Sequence, residues 1–204
     1  DLNKKMAIVN SSKGIEKIPM VGHKHEEDHD HDHEEHHDHE HGSLDPHVWL
    51  TPQNAKIIAK NMYDKVLLID KENATFYKNN YETLIVKLDA LDSEIKKKLS
   101  HLPPHSKFMV FHPSWGYFAK DYNLLQLPVE VEGKSPKAKD IANLIEQAKN
   151  SEVKVIFAQP EFTQKFADII AKEGGIEVVS ISPLSPDLFK TLDSFADALS
   201  KSYK

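Results

Sequence analysis

The sequence predicts an α/β protein in which one long helix joins two lobes. After Pro104, short apolar segments alternate four times with helical segments, which is the pattern of a parallel sheet flanked by helices. Before it, residues 70–99 carry apolar side chains at every third or fourth position, enough for a helix about 45 Å long. Its few, irregular heptads favour a helix between lobes over half of a coiled coil. We therefore expect a partial N-terminal lobe in residues 1–69, a linking helix in 70–102 and a (β/α)4 lobe in 103–204.

The N-terminal part is predicted to contain a strand, a turn and a helix. The apolar run in Lys5–Asn10 indicates a short buried strand, and Ser11–Gly14 has the composition of a turn. Thr51-Pro52 is typical of a helix start, with threonine as the N-cap and proline in the first helical turn. The apolar face of that helix consists of Ile57, Ile58, Met62, Val66 and Leu67.

The linking helix and the C-terminal lobe follow from the spacing of apolar residues. One face of the long helix carries Tyr77, Tyr81, Leu84, Leu88, Leu91, Ile95 and Leu99, and Pro103-Pro104 ends it. The predicted strands are Phe108–Phe111, Leu124–Val131, Val153–Ala158 and Ile176–Ile181. The predicted helices are Ser114–Asp121, Pro136–Asn150, Thr163–Lys172 and Pro186–Ser202. Glu130 and Glu132 alternate along the second strand, which favours a sheet edge over an acid/base pair.

Composition excludes several classes of protein. The chain has 26 basic residues, all of them lysine, and no basic cluster, which argues against nucleic-acid binding. Without cysteine it cannot have disulfides, thiolate zinc sites or a cysteine nucleophile. No apolar run approaches the ~20 residues of a membrane span. It also lacks a His-Glu-x-x-His motif, a glycine-rich phosphate loop and a Gly-x-Ser-x-Gly elbow, so we expect no enzyme.

Nine of the 13 histidines lie in residues 23–41, interleaved with nine acidic residues and one lysine. This segment has a net charge of −8, so the remainder of the chain carries about +2. Imidazoles and carboxylates together bind Zn, Ni or Cu ions, and the segment is predicted to be a loop that captures metal without one defined ligand set. The alternatives are an acidic solvated linker or a purification tag, although a tag would be consecutive histidines at a terminus.

Four histidines lie outside that loop. His47 precedes the capped helix, and His112 follows the first predicted strand, where parallel sheets bind ligands. Both are flanked by proline and tryptophan at the ends of elements, and one would come from each lobe. From the residues alone, two interpretations are equally supported: an interlobe metal pair and two capping histidines. His101 and His105 flank the Pro-Pro stop and indicate an exposed turn.

Several motifs occur in the order and separation found in one family of metal receptors. The chain resembles the ZnuA-type zinc-binding solute receptors of bacterial ABC transporters, within the metal-binding lipoprotein and adhesin group, over essentially its whole length. After the His-rich loop, the matching segments are Asp45-Pro-His-Val-Trp-Leu-Thr-Pro, the helix start with Asn73 and Tyr77, Phe111-His-Pro-Ser-Trp-Gly-Tyr-Phe-Ala, Glu132-Gly-Lys-Ser-Pro and Ile156-Phe-Ala-Gln-Pro-Glu-Phe.

The resemblance implies two (β/α) lobes joined by a rigid helix, with Zn²⁺ bound between them by His47 and His112. A third histidine of the family belongs to a motif upstream of this sequence, so we expect a truncated product or fragment whose missing part completes the site. Two positions depart from the family pattern. Ser182 stands where a ligating aspartate is often found, and Gln159 stands where a glutamate often precedes proline.

The function implied is high-affinity Zn²⁺ binding and delivery to an ABC permease. The resemblance places the protein in the periplasm, or on the cell surface as a lipoprotein, as a monomer when full length and with a possible periplasmic zinc donor as a further partner. Because neutral imidazoles bind the ion, affinity is expected to fall as pH drops through about 6.5. The alternatives are a receptor for Mn, Ni or Cu, and a metal-buffering or adhesin-type protein without a transport role.

Overall fold

A four-stranded parallel sheet lies at the centre of the computed structural model, which describes residues 6–21, 43–130, 134–162 and 164–204. The strands are β1 (Lys107–Val110), β2 (Leu125–Pro128), β3 (Val155–Ala158) and β4 (Glu177–Ser180), in the spatial order β2-β1-β3-β4. Every neighbouring pair is parallel. The predicted α/β class is confirmed, and each strand coincides with a predicted apolar segment to within a few residues.

The described part of the chain contains six helices. They are α1 (Pro52–Ile69), α2 (Ala74–Leu99), α3 (Gly116–Asp121), α4 (Ala138–Asn150), α5 (Lys165–Gly174) and α6 (Leu188–Ser202). Helices α2, α3 and α6 cover one face of the sheet, and α4 and α5 cover the other. Gly175 ends α5 in the left-handed conformation at φ 68°, which a glycine adopts without steric cost.

Alternating strand residues supply the two halves of the core, because successive side chains of a strand point to opposite faces. Phe108 and Val110 of β1 face α2 and α6, whereas Met109 and the following Phe111 face α4 and α5. The centre of the first half is aromatic. Phe195 of α6 stacks on Trp115 with ring centroids 3.7 Å apart, and Phe108, Phe118 and Phe157 also contact it.

Helices α1 and α2 form an antiparallel hairpin. Thr51 caps α1 by accepting a hydrogen bond from the backbone N–H of Gln53, as predicted. Tyr63 and Tyr81 stack across the pair at 4.5 Å. The second helix begins at Ala74, four residues later than the sequence pattern indicates, because residues 71–73 form the turn.

The C-terminal half of α2 packs against the core on one face of the sheet. Leu88, Leu91, Ile95 and Leu99 are buried, and the helix packs there against α6. The division of the chain at residues 69/70 and 102/103 stays a prediction.

The predicted strand at Lys5–Asn10 is wrong over its described part. Residues 6–10 lie in no strand, and Met6, Ile8 and Val9 are exposed, since the described chain offers them no neighbouring strand. The turn at 11–14 is confirmed. Pro19 and Leu44 instead form an isolated antiparallel bridge, so the chain segments on either side of the His-rich region lie together.

None of the described helices has the length and apolar character needed to cross a membrane.

Candidate metal centre

The register of the sheet brings two polar side chains to His112. Val110 of β1 lies opposite Pro128 of β2, and continuing two residues further pairs His112 with Glu130. The backbone N–H of Glu130 donates to the carbonyl of Phe111 at 3.1 Å, which extends the ladder to this point. The His112 ring then donates from Nδ1 to Glu130 Oε1 at 2.8 Å. Glu130 is buried, so it orients the imidazole from inside the protein.

On the other side of β1, the same continuation brings Gln159 to His112. Gln159 is 1% exposed and accepts from the His112 backbone N–H at 2.7 Å through Oε1. Its Nε2 lies within hydrogen-bonding distance of the His112 carbonyl and of Ser114 Oγ, at 3.1 and 2.8 Å. A glutamate at this position would lack that amide donor. Gln159 therefore contacts both the backbone N–H and the backbone carbonyl of His112 through its side-chain amide.

His47 is held in a corresponding way by Asp45. One carboxylate oxygen, Asp45 Oδ1, accepts from the backbone N–H of His47 at 2.8 Å and from its ring Nδ1 at 2.7 Å. Asp45 is 1% exposed, and its backbone carbonyl accepts from the Tyr117 hydroxyl at 2.9 Å. The backbone and the ring of His47 are thus fixed by the same buried oxygen.

The two imidazoles meet at the carboxyl edge of the sheet. Their ring centroids are 5.1 Å apart at an interplanar angle of 74°. Trp49 lies beside His47 at 5.6 Å, and Phe162 stacks on His112 at 5.5 Å. The side chains of His47 and His112 are 11% and 24% exposed, so the pair is enclosed but still reachable from solvent.

Each imidazole has Nδ1 committed to a carboxylate, which leaves Nε2 available as a metal ligand. Two imidazole nitrogens are half of the four ligands that Zn²⁺ prefers. Within residues 6–21, 43–130, 134–162 and 164–204, no group of three or more His, Asp or Glu side chains is placed to hold a metal ion. The described residues therefore bring together the two predicted ligands and their carboxylates, and supply no third.

Ser182 and Pro183 connect the segment after β4 to the residues around the histidine pair. Its hydroxyl donates to the carboxylate of Glu161, which follows β3. The next residue, Pro183, accepts from the indole N–H of Trp49 at 3.2 Å. The segment after β4 is thereby attached to both sides of the histidine pair.

The start of α1, which follows His47, is attached to α3 and α2 by a polar network. Thr51 Oγ1 donates to Asp121 at the end of α3. Asp92 of α2 accepts from Gln53 Nε2 at 3.0 Å, from Tyr122 OH at 2.9 Å and from Lys96 Nζ at 2.7 Å. Burial opposes ionisation of Asp92, but the hydrogen bonds from Lys96 and Tyr122 outweigh it, so its pKa lies below the ordinary value.

The remaining histidines lie elsewhere or outside the described residues. His101 and His105 are exposed in turns, as predicted, and His101 Nε2 lies 3.1 Å from the carbonyl oxygen of Ser200. The histidine-rich segment 23–41 falls outside the described residues, so its predicted role as a metal-capturing loop stays a prediction.

Sequence patterns do not identify the carboxylate that orients His112. The alternation of Glu130 and Glu132 predicts only a sheet edge. β2 is indeed an edge strand, but Glu130 follows its end and points inward to His112. No sequence pattern identifies this contact, because the register between β1 and β2 is a property of the folded chain.

Comparison with known proteins identifies the family of the chain. The family described as "Zinc-uptake complex component A periplasmic" matches residues 1–203. The high-affinity zinc uptake system protein ZnuA of Bacillus subtilis is 36% identical over 178 residues, which are 86% of this chain and 54% of that protein. Zinc-binding protein AdcA of Streptococcus pyogenes is 34% identical over 188 residues, 89% of this chain and 36% of that protein.

A crystal structure of ZnuA has the same fold, with a TM-score of 0.85 at 32% identity. The match covers 99% of this chain and 71% of that one. Structural neighbours of this kind have the two-lobe α/β fold that the sequence predicts. The chain spans about a third to a half of the length of the curated relatives named above.

Proposed function

This chain belongs to the family of periplasmic A components of zinc-uptake complexes, and on that premise we propose that it is a receptor for Zn²⁺. Zn²⁺ is its cargo, bound by His47 and His112 and passed on to an ABC permease in the membrane. No covalent bond is made or broken in this role, in keeping with a family of solute receptors. The family description supports a location outside the cytoplasm, in the periplasm or on the cell surface.

One observation carries the proposal: the two imidazoles lie 5.1 Å apart, each with Nδ1 held by a buried carboxylate. Such carboxylate–histidine pairs fix the ring orientation and raise the basicity of the ligating nitrogen. The carboxylates come from different segments, Asp45 and Glu130, so the arrangement does not arise from one local turn. Two histidines that only capped secondary-structure elements would not have to lie side by side, each with a buried carboxylate on Nδ1.

The proposal is tested by titrating the 204-residue chain with Zn²⁺ in a calorimeter, against a competing chelator. His47→Ala and His112→Ala should each abolish the tightest site, because either leaves a single imidazole. His101→Ala and His105→Ala are the matched controls, since both residues are exposed and precede β1, whereas the histidine pair lies at the carboxyl ends of the strands. Tight binding that survives either of the first two substitutions would contradict the proposal.

Metal preference is tested by competition with Mn²⁺, Ni²⁺ and Cu²⁺. A site that offers imidazole nitrogens suits zinc, nickel and copper, whereas manganese receptors rely more on carboxylates. We expect Mn²⁺ to compete poorly. Efficient displacement of Zn²⁺ by Mn²⁺ would instead favour the alternative of a receptor for another divalent metal.

Delivery is tested in a bacterium that lacks its own zinc receptor. Expression of this chain joined to the N-terminal part of a related receptor should restore growth in zinc-depleted medium, and the His112→Ala variant should not. Zinc binding without any restored uptake would favour a metal-buffering or adhesin-type role.

A further inference from the structure

We infer that Gly116 and Asp45 act together as positioning residues of the zinc site, and that Gly116 is required because a side chain there would displace the carboxylate that aims His47. This inference rests on the proposed function, since it concerns how His47 is presented to the ion. Neither residue touches the metal in this scheme, because both act through the orientation of His47.

Asp45 has little freedom to move. Its Oδ1 already accepts two hydrogen bonds from His47. Its backbone N–H donates to the carbonyl of Ile18 at 2.9 Å, and its own carbonyl accepts from Tyr117. A shift of the Asp45 carboxylate would therefore break its hydrogen bonds to His47, which orient the imidazole.

Gly116 leaves the space that this carboxylate occupies. A Cβ atom at position 116 would lie 2.7 Å from Asp45 Oδ2, closer than real Cβ contacts allow, and 3.1 Å from Ile18 Cδ1. The backbone of Gly116 is not in the left-handed region, so glycine is needed there for space and not for conformation. Gly116 is the first residue of α3, and the close approach of Asp45 accounts for a glycine at this position.

The polar groups around Gly116 are complementary. Asp45 Oδ2, an acceptor, and Gln126 Nε2, a donor, are both buried without a hydrogen-bond partner within the described structure. Gln126 Nε2 lies 3.3 Å from the position of the same hypothetical Cβ. The backbone N–H of Trp115 donates to Gln126 Oε1 at 2.9 Å, which fixes the amide with its donor toward the glycine. A side chain at position 116 would press against both of these unpaired groups.

The arrangement also connects the two halves of the site. Gly116 follows His112 by four residues, so the chain that leaves His112 immediately becomes the wall against which Asp45 rests. Direct contact between α3 and the segment Asp45–His47 therefore helps to set the distance between the two imidazoles.

The test compares Gly116→Ala, Asp45→Ala and the double variant in the full chain, with zinc affinity measured against a competing chelator. Loss of such an outer contact typically costs 10- to 100-fold in metal affinity, and we expect Gly116→Ala to lose about 10-fold. Because Gly116 acts through Asp45, the double variant should bind no more weakly than Asp45→Ala alone. Gly174→Ala is the matched control, since a Cβ there meets nothing nearer than 3.5 Å and affinity should not change.

A second readout separates positioning from a general loss of structure. The visible absorption spectrum of bound Co²⁺ reports ligand geometry, and it should change in Gly116→Ala and not in Gly174→Ala. Asp45→Asn preserves side-chain volume and keeps the test open if Gly116→Ala does not fold, with a loss of about 10-fold expected. Wild-type affinity in Asp45→Asn, wild-type affinity in a folded Gly116→Ala, or additive losses in the double variant would overturn the inference. If His47→Ala retains the tight site, the proposed function itself fails.

Discussion

Glu130→Gln isolates the contribution of the carboxylate that orients His112. The substitution keeps the length of the side chain and an oxygen that can accept from His112 Nδ1, but it removes the negative charge. A hydrogen bond to a charged group contributes about 1.5–3 kcal/mol, and one between neutral groups about 0.5–1.5 kcal/mol. The difference of roughly 1–1.5 kcal/mol corresponds to about a 10-fold loss of zinc affinity.

The structure indicates that this loss stays moderate. Gln159 still holds the His112 backbone N–H at 2.7 Å, and Phe162 still stacks on the ring at 5.5 Å. Glu130→Ala removes the acceptor altogether and leaves Nδ1 without its partner. We therefore expect that variant to approach the 100-fold end of the range for outer-shell changes.

Both variants are measured by chelator competition, with urea unfolding of the metal-free protein as a check that each is folded. Glu146→Gln makes the same chemical change on an exposed position of α4 and should leave affinity unchanged. Equal affinities for Glu130→Gln, Glu130→Ala and the wild type would refute the role assigned to the carboxylate. So would a loss in Glu146→Gln of the same size.

Three further predictions concern other parts of the chain. Deletion of residues 23–41 should leave one tight zinc site and remove weaker ones in calorimetry, and loss of the tight site would count against His47 and His112. Asp92→Asn should lower the free energy of urea unfolding at pH 7 by about 1–2 kcal/mol. Because the pKa of Asp92 is lowered in the folded protein, that stabilisation is present above 3.8 and is lost as pH falls below it; a difference constant down to pH 2 would contradict this. Phe195→Ala should cost about 3–5 kcal/mol by emptying the centre of the aromatic core, and a change under 1 kcal/mol would show that the core refills.

The parallel sheet could be predicted because its strands are short apolar runs between helices. A strand that is buried on both faces has apolar residues at successive positions, and this is the pattern that the sequence shows. The positions of His47 and His112 at the ends of elements could also be predicted, because the helix start at Thr51-Pro52 and the apolar run of β1 are visible in the sequence. Their meeting could not be deduced from periodicity, since nothing local states how the segment before α1 lies against α3.

The orienting side chains depend on strand register. Glu130 and Gln159 reach His112 from neighbouring strands at the same level of the sheet, and strand order and offset are properties of the folded chain. The segment 6–10 shows the opposite case. Its apolar run satisfies the pattern of a strand, but a strand forms only where a neighbour accepts its hydrogen bonds.

The meeting of His47 and His112 has a consequence for the lifetime of the protein. The two residues are 65 positions apart, so under the proposed function a zinc ion held by both binds only the folded chain. At a free zinc concentration 100 times the dissociation constant, ligand binding adds about 2.7 kcal/mol to the free energy of unfolding, a large share of the usual 5–15 kcal/mol. The fraction of open chains available to a protease falls about 100-fold with it. Under the proposed function, the metal-free protein is therefore the form that a protease cleaves faster.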